Sequence, residues 1–315
     1  MWPRLKTFKC PPLPLVRNCE VIDTINTDLK QSMLCEQFTN EAVSFIKRNR
    51  DHAFFLYLPH SFIHVPWFSQ ESYANNSKNP NKQKGGTISE IDHSVGRIMS
   101  TLKELGLDEN TLVLFVSDNG GVGSTANLPL RGGKGTYWEG GFRVPFIAHW
   151  PGMIPANKKS SVIISALDIY PTIASFAGLP ASSKQVVDGM DMTKLLSADT
   201  EESPRNIFYY YWKNELSAIR YQDWKLMANG QLFNLKNDIS ENSDISEQHP
   251  DIVKIINEYF NEARKDLGDK RMGLSGENCR LPGRKGATLK FLIPGKGENE
   301  KSSSYWPVER IQTKN

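Results

Sequence analysis

From Thr87 to Leu105 the residues Ile88, Ile91, Val95, Ile98, Met99, Leu102 and Leu105 fall on one helical stripe. Gly106 stops that helix, and the apolar run Thr111-Leu112-Val113-Leu114-Phe115-Val116 follows at once. A second apolar run, Phe54 to Leu58, precedes the helix. Strand, helix, strand in this order points to an α/β core, with Phe54 to Leu58 as a central parallel strand and Thr111 to Val116 as a second buried strand. A further helix is expected over Cys35 to Asn49, where Phe38, Ala42, Phe45 and Ile46 share a face. Strands are expected at Val144 to Trp150 and Ser161 to Ala166, and a short helix at Asp168 to Phe176. Together these elements read as a three-layer sandwich. The prolines of Cys10 to Leu15 exclude helix and regular sheet, so residues 1–30 are expected to be irregular, and Ser69 to Gly86 reads as an exposed loop.

Composition changes at Leu195 to Arg205, a polar linker. Beyond it, Ile207 to Trp212, Leu216 to Tyr221, Trp224 to Met227 and Leu232 to Leu235 lie at hairpin spacing and predict a small antiparallel sheet. A helix over Pro250 to Leu267, with Ile252, Ile255, Ile256, Tyr259, Phe260 and Ala263 on one stripe, would cover that sheet. The expected organisation is thus a core over 1–200, an antiparallel-sheet subdomain over 201–267 and an irregular Gly-, Lys- and Ser-rich tail over 268–315.

A formal charge of +3, with Lys and Arg spread along the chain, argues against nucleic acid as a partner. No apolar run approaches the ~20 residues that span a bilayer, and Met1 to Lys6 lacks the apolar centre of a signal peptide. Four cysteines in 315 residues form neither a dense disulfide framework nor a C-x-x-C metal pattern. Asn75-Asn76-Ser77 is a glycosylation sequon in a polar stretch.

The chemistry concentrates between Val116 and Gly141. Asp118 and Asn119 follow an apolar strand at its C-terminal end, where α/β sheets build their sites. A carboxylate beside an amide oxygen suits a hard cation such as Ca²⁺ or Mg²⁺. Lys134, with glycine on both sides, can direct its ammonium at an anion held by that cation.

This stretch resembles the sulfatases, whose pattern runs S/T-D-N-G, a variable Gly/Ser segment, and P-L-R-x-G-K-G-T-x-x-E-G-G-x-R-x-P. Pro129-Leu130-Arg131 through Arg143-Val144-Pro145 follow it. Phe54 to Pro66 is similar to the family's strand ending in H-x-x-x-H-x-P, and Leu232 to Asp238 to its L-Y-D-L-x-x-D signature. The resemblance covers about Pro11 to Leu267 and implies an alkaline-phosphatase-like α/β sandwich. It implies that Asp118 and Asn119 are two of four protein ligands to Ca²⁺, and that Lys134 binds the sulfate and the leaving-group oxygen. It also implies that His64, favoured over His60, contacts sulfate and protonates the departing alcohol. Arg131, Glu139 and Arg143 read as scaffold of the loop.

The family nucleophile is a formylglycine made from the cysteine of C-x-P-S-R or C-x-A-S-R. Cys10, Cys19, Cys35 and Cys279 lie in neither motif, so formylglycine is not possible in this chain. The resemblance therefore implies an N-terminally incomplete core that hydrolyses sulfate esters only as part of the complete enzyme. A sulfated small molecule or glycan is the expected ligand, and the secretory route, lysosome or extracellular space the expected location. Other readings stay open: a noncatalytic sulfated-ligand or partner-binding isoform, and a phosphate-ester hydrolase of the same superfamily. Exposed apolar faces at Phe54 to Leu58 and Thr111 to Val116, with marginal stability, are expected.

Overall fold

The computed structural model describes residues 13–123, 126–180 and 186–279, which fall into two compact units divided along the chain between Asp108 and Glu109. In the first unit the proline-rich start is a ribbon where irregular chain is expected. β1 (Leu13–Arg17) pairs antiparallel with β2 (Glu20–Ile25), Pro14 opposite Thr24. A two-stranded ribbon consists of edges alone, so a residue without an N–H fits in it.

The short helix α1 (Asp28–Ser32) starts where the Thr27 hydroxyl accepts from Lys30 N at 3.2 Å. The longer α2 (Leu34–Arg48) buries Leu34, Cys35, Ala42 and Ile46. Inside the expected loop the chain forms α3 (Glu71–Asn76), and α4 (Lys82–Glu104) begins before Thr87 because Asn81 caps it, accepting from Lys84 N. Gly85 and Gly86 permit this start. A Cβ at either would meet Ser77 Oγ at 1.8 Å or Ser69 Oγ at 2.2 Å.

Helix α4 buries Leu102 of its apolar stripe and, beside it, a polar row that the stripe does not indicate. Thr87, Glu90, Ser94 and Thr101 are buried, whereas Ile88 is 44% exposed. Hydrogen bonds account for the polar face: Ser94 Oγ lies 2.6 Å from Thr39 Oγ1, and Glu90 Oε1 accepts from Ser69 Oγ and Gln70 N. Phe54 to Leu58 is not a strand either. It is extended chain outside every ladder among the described residues, leaving Phe55 67% and Tyr57 76% exposed.

The second unit opens with β3 (Val113–Val116), paired antiparallel with β4 (Phe146–His149) in the register Val113 to His149. The strand expected over this run is present and runs antiparallel to its neighbour, because the glycine-rich segment between the two doubles back, and Ser117 N reaches Pro145 O at 3.3 Å. Phe115, Val116 and Ile147 stay exposed on this ribbon. After α5 (Glu139–Phe142), the expected strand at Ser161 to Ala166 is replaced by a turn. Ser165 and Asp168 form a capping box there that starts α6 (Ile169–Phe176). α7 (Thr193–Leu196) follows.

The antiparallel sheet appears as the hairpin spacing predicts. β5 (Ile207–Trp212), β6 (Glu215–Tyr221), β7 (Trp224–Met227) and β8 (Leu232–Asn234) lie in that order. α8 (Pro250–Leu267) has proline in its first turn and ends at Gly268, whose φ of 82° requires a residue without a side chain. Successive residues point to opposite faces of the sheet. Leu216, Ile219, Leu226 and Leu232 pack with Ile256, Phe260 and Ala263 of α8. Ala218, Met227 and Phe233 face the other way, with Trp138 and Phe142 packed on them. Each fully buried Leu, Ile or Phe contributes roughly 1.5–3 kcal/mol, so both layers stabilise the sheet. Past α8, where irregular tail is expected, β9 (Gly268–Asp269) and β10 (Leu274–Ser275) form a short ribbon. The rest of the expected tail, 280–315, lies outside the described residues. No helix among the described residues is long and apolar enough to cross a membrane.

Candidate functional site

Asp118 and Asn119 stand just past the end of β3, as the sequence indicates, and Lys134 belongs to the same local structure. The two segments are joined backbone to backbone. Lys134 N donates to Gly121 O at 2.9 Å, and Gly120 N donates to Gly141 O at 3.1 Å. Asn127 clamps the crossing: its Oδ1 accepts from Gly121 N, while its Nδ2 donates to Gly121 O and Gly132 O. Glycine is required where the segments touch. A Cβ on Gly120 would sit 1.8 Å from Gly140 O, and Gly132 has φ 73°.

The donor chemistry can be tested on the atoms. Asn119 Oδ1 is buried and has no hydrogen-bond partner among the described residues, the state of an oxygen reserved for a ligand. The Asp118 carboxylate is exposed beside it. Among the described residues no three or more His, Cys, Asp or Glu gather in a metal-holding group. The pair therefore fits a hard cation in kind, as two oxygens of the ~6 to 8 that calcium takes. Lys134 is exposed, and no carboxylate pairs with it among the described residues. Its ammonium is free to meet an anion.

Behind Lys134 lies a buried charge cluster that the sequence reading does not anticipate beyond Glu139. Glu139 Oε1 accepts from Tyr210 OH at 2.6 Å and from Lys225 Nζ at 3.0 Å. Glu139 Oε2 lies 3.5 Å from Arg220. Lys225, with no exposed surface, also donates to Tyr137 O at 2.9 Å and pairs with Glu241 Oε1 at 2.7 Å. Burial alone would raise the Glu139 carboxyl, but Lys225, the Tyr210 hydroxyl and Arg220 together hold it below its ordinary value. For Glu241 burial wins over Lys225, and its carboxyl is pushed up. Burial, with Glu139 adding to it, pushes the Tyr210 hydroxyl well up, so it stays a donor. The sequence signal for these partners is weak, because their pairing joins residues 86 and 102 positions apart, which local patterning does not encode.

His64 lies in the first unit, exposed, with Nδ1–H donating to Val65 O at 2.6 Å. That bond takes up Nδ1 and leaves Nε2 as the ring nitrogen available to a ligand. His60 is held differently: Nε2 is 3.1 Å from Ser94 Oγ, Nδ1 is 3.9 Å from Cys35 Sγ, and burial lowers its pKa. It is a partner in the core of that unit. Cys19, Cys35 and Cys279 are free thiols, and burial, then Glu90, pushes the Cys35 thiol up to about 12, an inert state. Cys10 lies outside the described residues.

Comparison with known proteins gives a consistent result. The Sulfatase family model matches residues 8–179, and the model for N-sulphoglucosamine sulphohydrolase, C-terminal, matches residues 133–266. The chain is 34% identical to steryl-sulfatase of Homo sapiens over 217 residues, covering 66% of this chain and 36% of that protein. It is 36% identical to N-acetylgalactosamine-6-sulfatase of Canis lupus familiaris over 230 residues, covering 68% and 43%. It therefore spans less than half the length of these two curated relatives. Among solved structures, Ps i-CgsB in complex with k-i-k-neocarrahexaose superposes with a TM-score of 0.70 at 31% identity, covering 84% of this chain and 60% of that one. PsFucS1 sulfatase from Pseudoalteromonas sp. gives 0.67 at 30%, covering 78% and 56%. These likenesses establish the alkaline-phosphatase-like α/β fold with a small C-terminal sheet.

Proposed function

The chain belongs to the sulfatase family, and from that premise we propose that it carries the sulfate- and cation-binding part of a sulfate-ester hydrolase. The observation that carries the reading is the Lys134 N to Gly121 O bond, which ties the backbone of Lys134 to the segment that follows the strand end bearing Asp118 and the partnerless Asn119 Oδ1. Asp118 and Asn119 would hold Ca²⁺, which when bound would supply positive charge toward the sulfate. Lys134 binds the sulfate and offsets charge that develops on the ester oxygen as the S–O bond breaks. His64 contacts sulfate and, protonated at Nε2, donates a proton to the departing alcohol.

The ligand class is a sulfated small molecule or glycan. That Ps i-CgsB is solved with a neocarrahexaose bound supports the glycan reading. Passage through the secretory route, to the lysosome or cell exterior, accords with the family. The organisation proposed with this reading is a core over 1–200, a sheet subdomain over 201–267 and a tail over 268–315.

Titration of the full chain with an aryl sulfate, in Ca²⁺, followed by calorimetry, tests the reading. Binding that weakens at least tenfold on Lys134→Ala is the expected result, since a charge-assisted contact contributes about 1.5–3 kcal/mol. Equal affinity of the two proteins would sink the assignment of Lys134.

A further inference from the structure

We infer that the buried Glu139, Lys225 and Glu241 cluster is a positioning device for Lys134, through which the β5–β8 sheet sets the geometry of the anion-binding loop. The inference rests on the reading of Lys134 as the sulfate ligand. The segment from Pro129 to Glu139 is fastened to the C-terminal sheet and the turn after it by polar contacts on both sides of its crest. Ser240 Oγ donates to Pro129 O at 2.6 Å, and Arg131 Nη1 donates to Glu241 O at 2.6 Å. The Arg131 guanidinium stacks 3.7 Å from the Trp138 ring. On the far side of the crest, Tyr137 O accepts from Lys225 Nζ, and Glu139 N donates to Glu241 Oε2 at 2.8 Å. Lys134 lies between these two groups of anchors.

The cluster is costlier than stability requires. Replacing a buried ion cluster by apolar residues of similar volume is often neutral or stabilising, because two carboxylates and their cations must all leave water. Lys225 also lies 4.1 Å from the Tyr210 ring, with no exposed surface, in a sheet otherwise packed with Ala218, Met227 and Phe233. A methionine would fill that space. It could not hold Tyr137 O, Glu139 and Glu241 at once, and that convergence on one ammonium fixes the path of the backbone on the C-terminal side of Lys134. Directionality, which an apolar plug lacks, is what the cluster adds.

The experiment uses the full chain and inorganic sulfate as the probe, with calorimetry for affinity and circular dichroism for folding. Wild type, Lys134→Ala, Lys225→Met and the double variant are compared, together with Glu139→Gln, which keeps an acceptor for Tyr210 while removing the charge. The expected result is that Lys225→Met weakens sulfate at least tenfold and that adding it to Lys134→Ala weakens sulfate no further. A merely structural role would leave the sulfate affinity of the folded Lys225→Met protein intact. If Lys225→Met does not fold, Glu139→Gln decides, with at least a threefold loss that vanishes in the Lys134→Ala background. Sulfate affinity within twofold of wild type in the folded variant overturns the inference alone. Wild-type affinity that is indifferent to Lys134→Ala, or absent, overturns the reading of Lys134 and the inference with it.

Discussion

Asp168→Ala is expected to destabilise the second unit by about 3–5 kcal/mol, the cost of stripping one partner from a buried ion pair. The Asp168 carboxylate has no exposed surface and is paired with Arg205, whose Nε donates to Oδ2 at 3.3 Å. The same carboxylate accepts from Ser165 N and Met190 N, each at 2.8 Å, so one side chain closes the turn before α6 and ties the chain at 190 to it. Removing it leaves the Arg205 guanidinium, itself 8% exposed, without its counter-charge and leaves two backbone N–H groups unsatisfied. Urea unfolding followed by tryptophan fluorescence checks this. The midpoint should fall steeply with an unchanged slope, and Asp168→Asn, which retains acceptor capacity, should lose less. A shift worth under about 1 kcal/mol, the range of exposed pairs, would show that this carboxylate does not hold the turn.

The second large effect concerns turnover. The purified 315-residue chain is expected to hydrolyse no aryl sulfate above the buffer rate, with Ca²⁺ present. Its cysteines lie outside C-x-P-S-R and C-x-A-S-R, and the Cys35 thiol is buried and held protonated. Loss of a covalent nucleophile costs on the order of 10⁶ in rate, and binding groups that remain do not restore it. Release of nitrophenol from its sulfate, followed by absorbance at high protein concentration, measures this. A rate well above buffer that disappears on Lys134→Ala would mean that another group in this chain performs the attack.

What could be read from the sequence follows from how local each signal is. The β5–β8 sheet and α8 are legible because each strand is a short apolar run at hairpin spacing and the helix carries an unbroken stripe from Ile252 to Ala263. That Asp118, Asn119 and Lys134 share one local structure is legible because their glycine-rich surroundings are needed for backbone approach, as the 1.8 Å encounter at Gly120 shows. Pairings between distant residues are not legible. Lys225 follows Trp224 as an outward-facing lysine would, yet its partner Glu139 is 86 residues away. Ser94 and Glu90 lie outside the apolar stripe of α4, and their burial depends on Thr39, Ser69 and Gln70 being brought against them. The direction of β4 beside β3 depends on the doubling back of the glycine-rich loop, which apolar periodicity does not encode.

The most direct test of the account is where sulfate binds. Amide chemical shifts of isotopically labelled full chain, recorded during titration with inorganic sulfate in Ca²⁺, locate the anion residue by residue. The largest changes are expected on Asn119 to Gly121 and Gly133 to Gly135, whose backbones meet at the Lys134 N to Gly121 O bond, and they should vanish in Lys134→Ala. Saturable changes centred elsewhere, with these amides unmoved, would contradict the account.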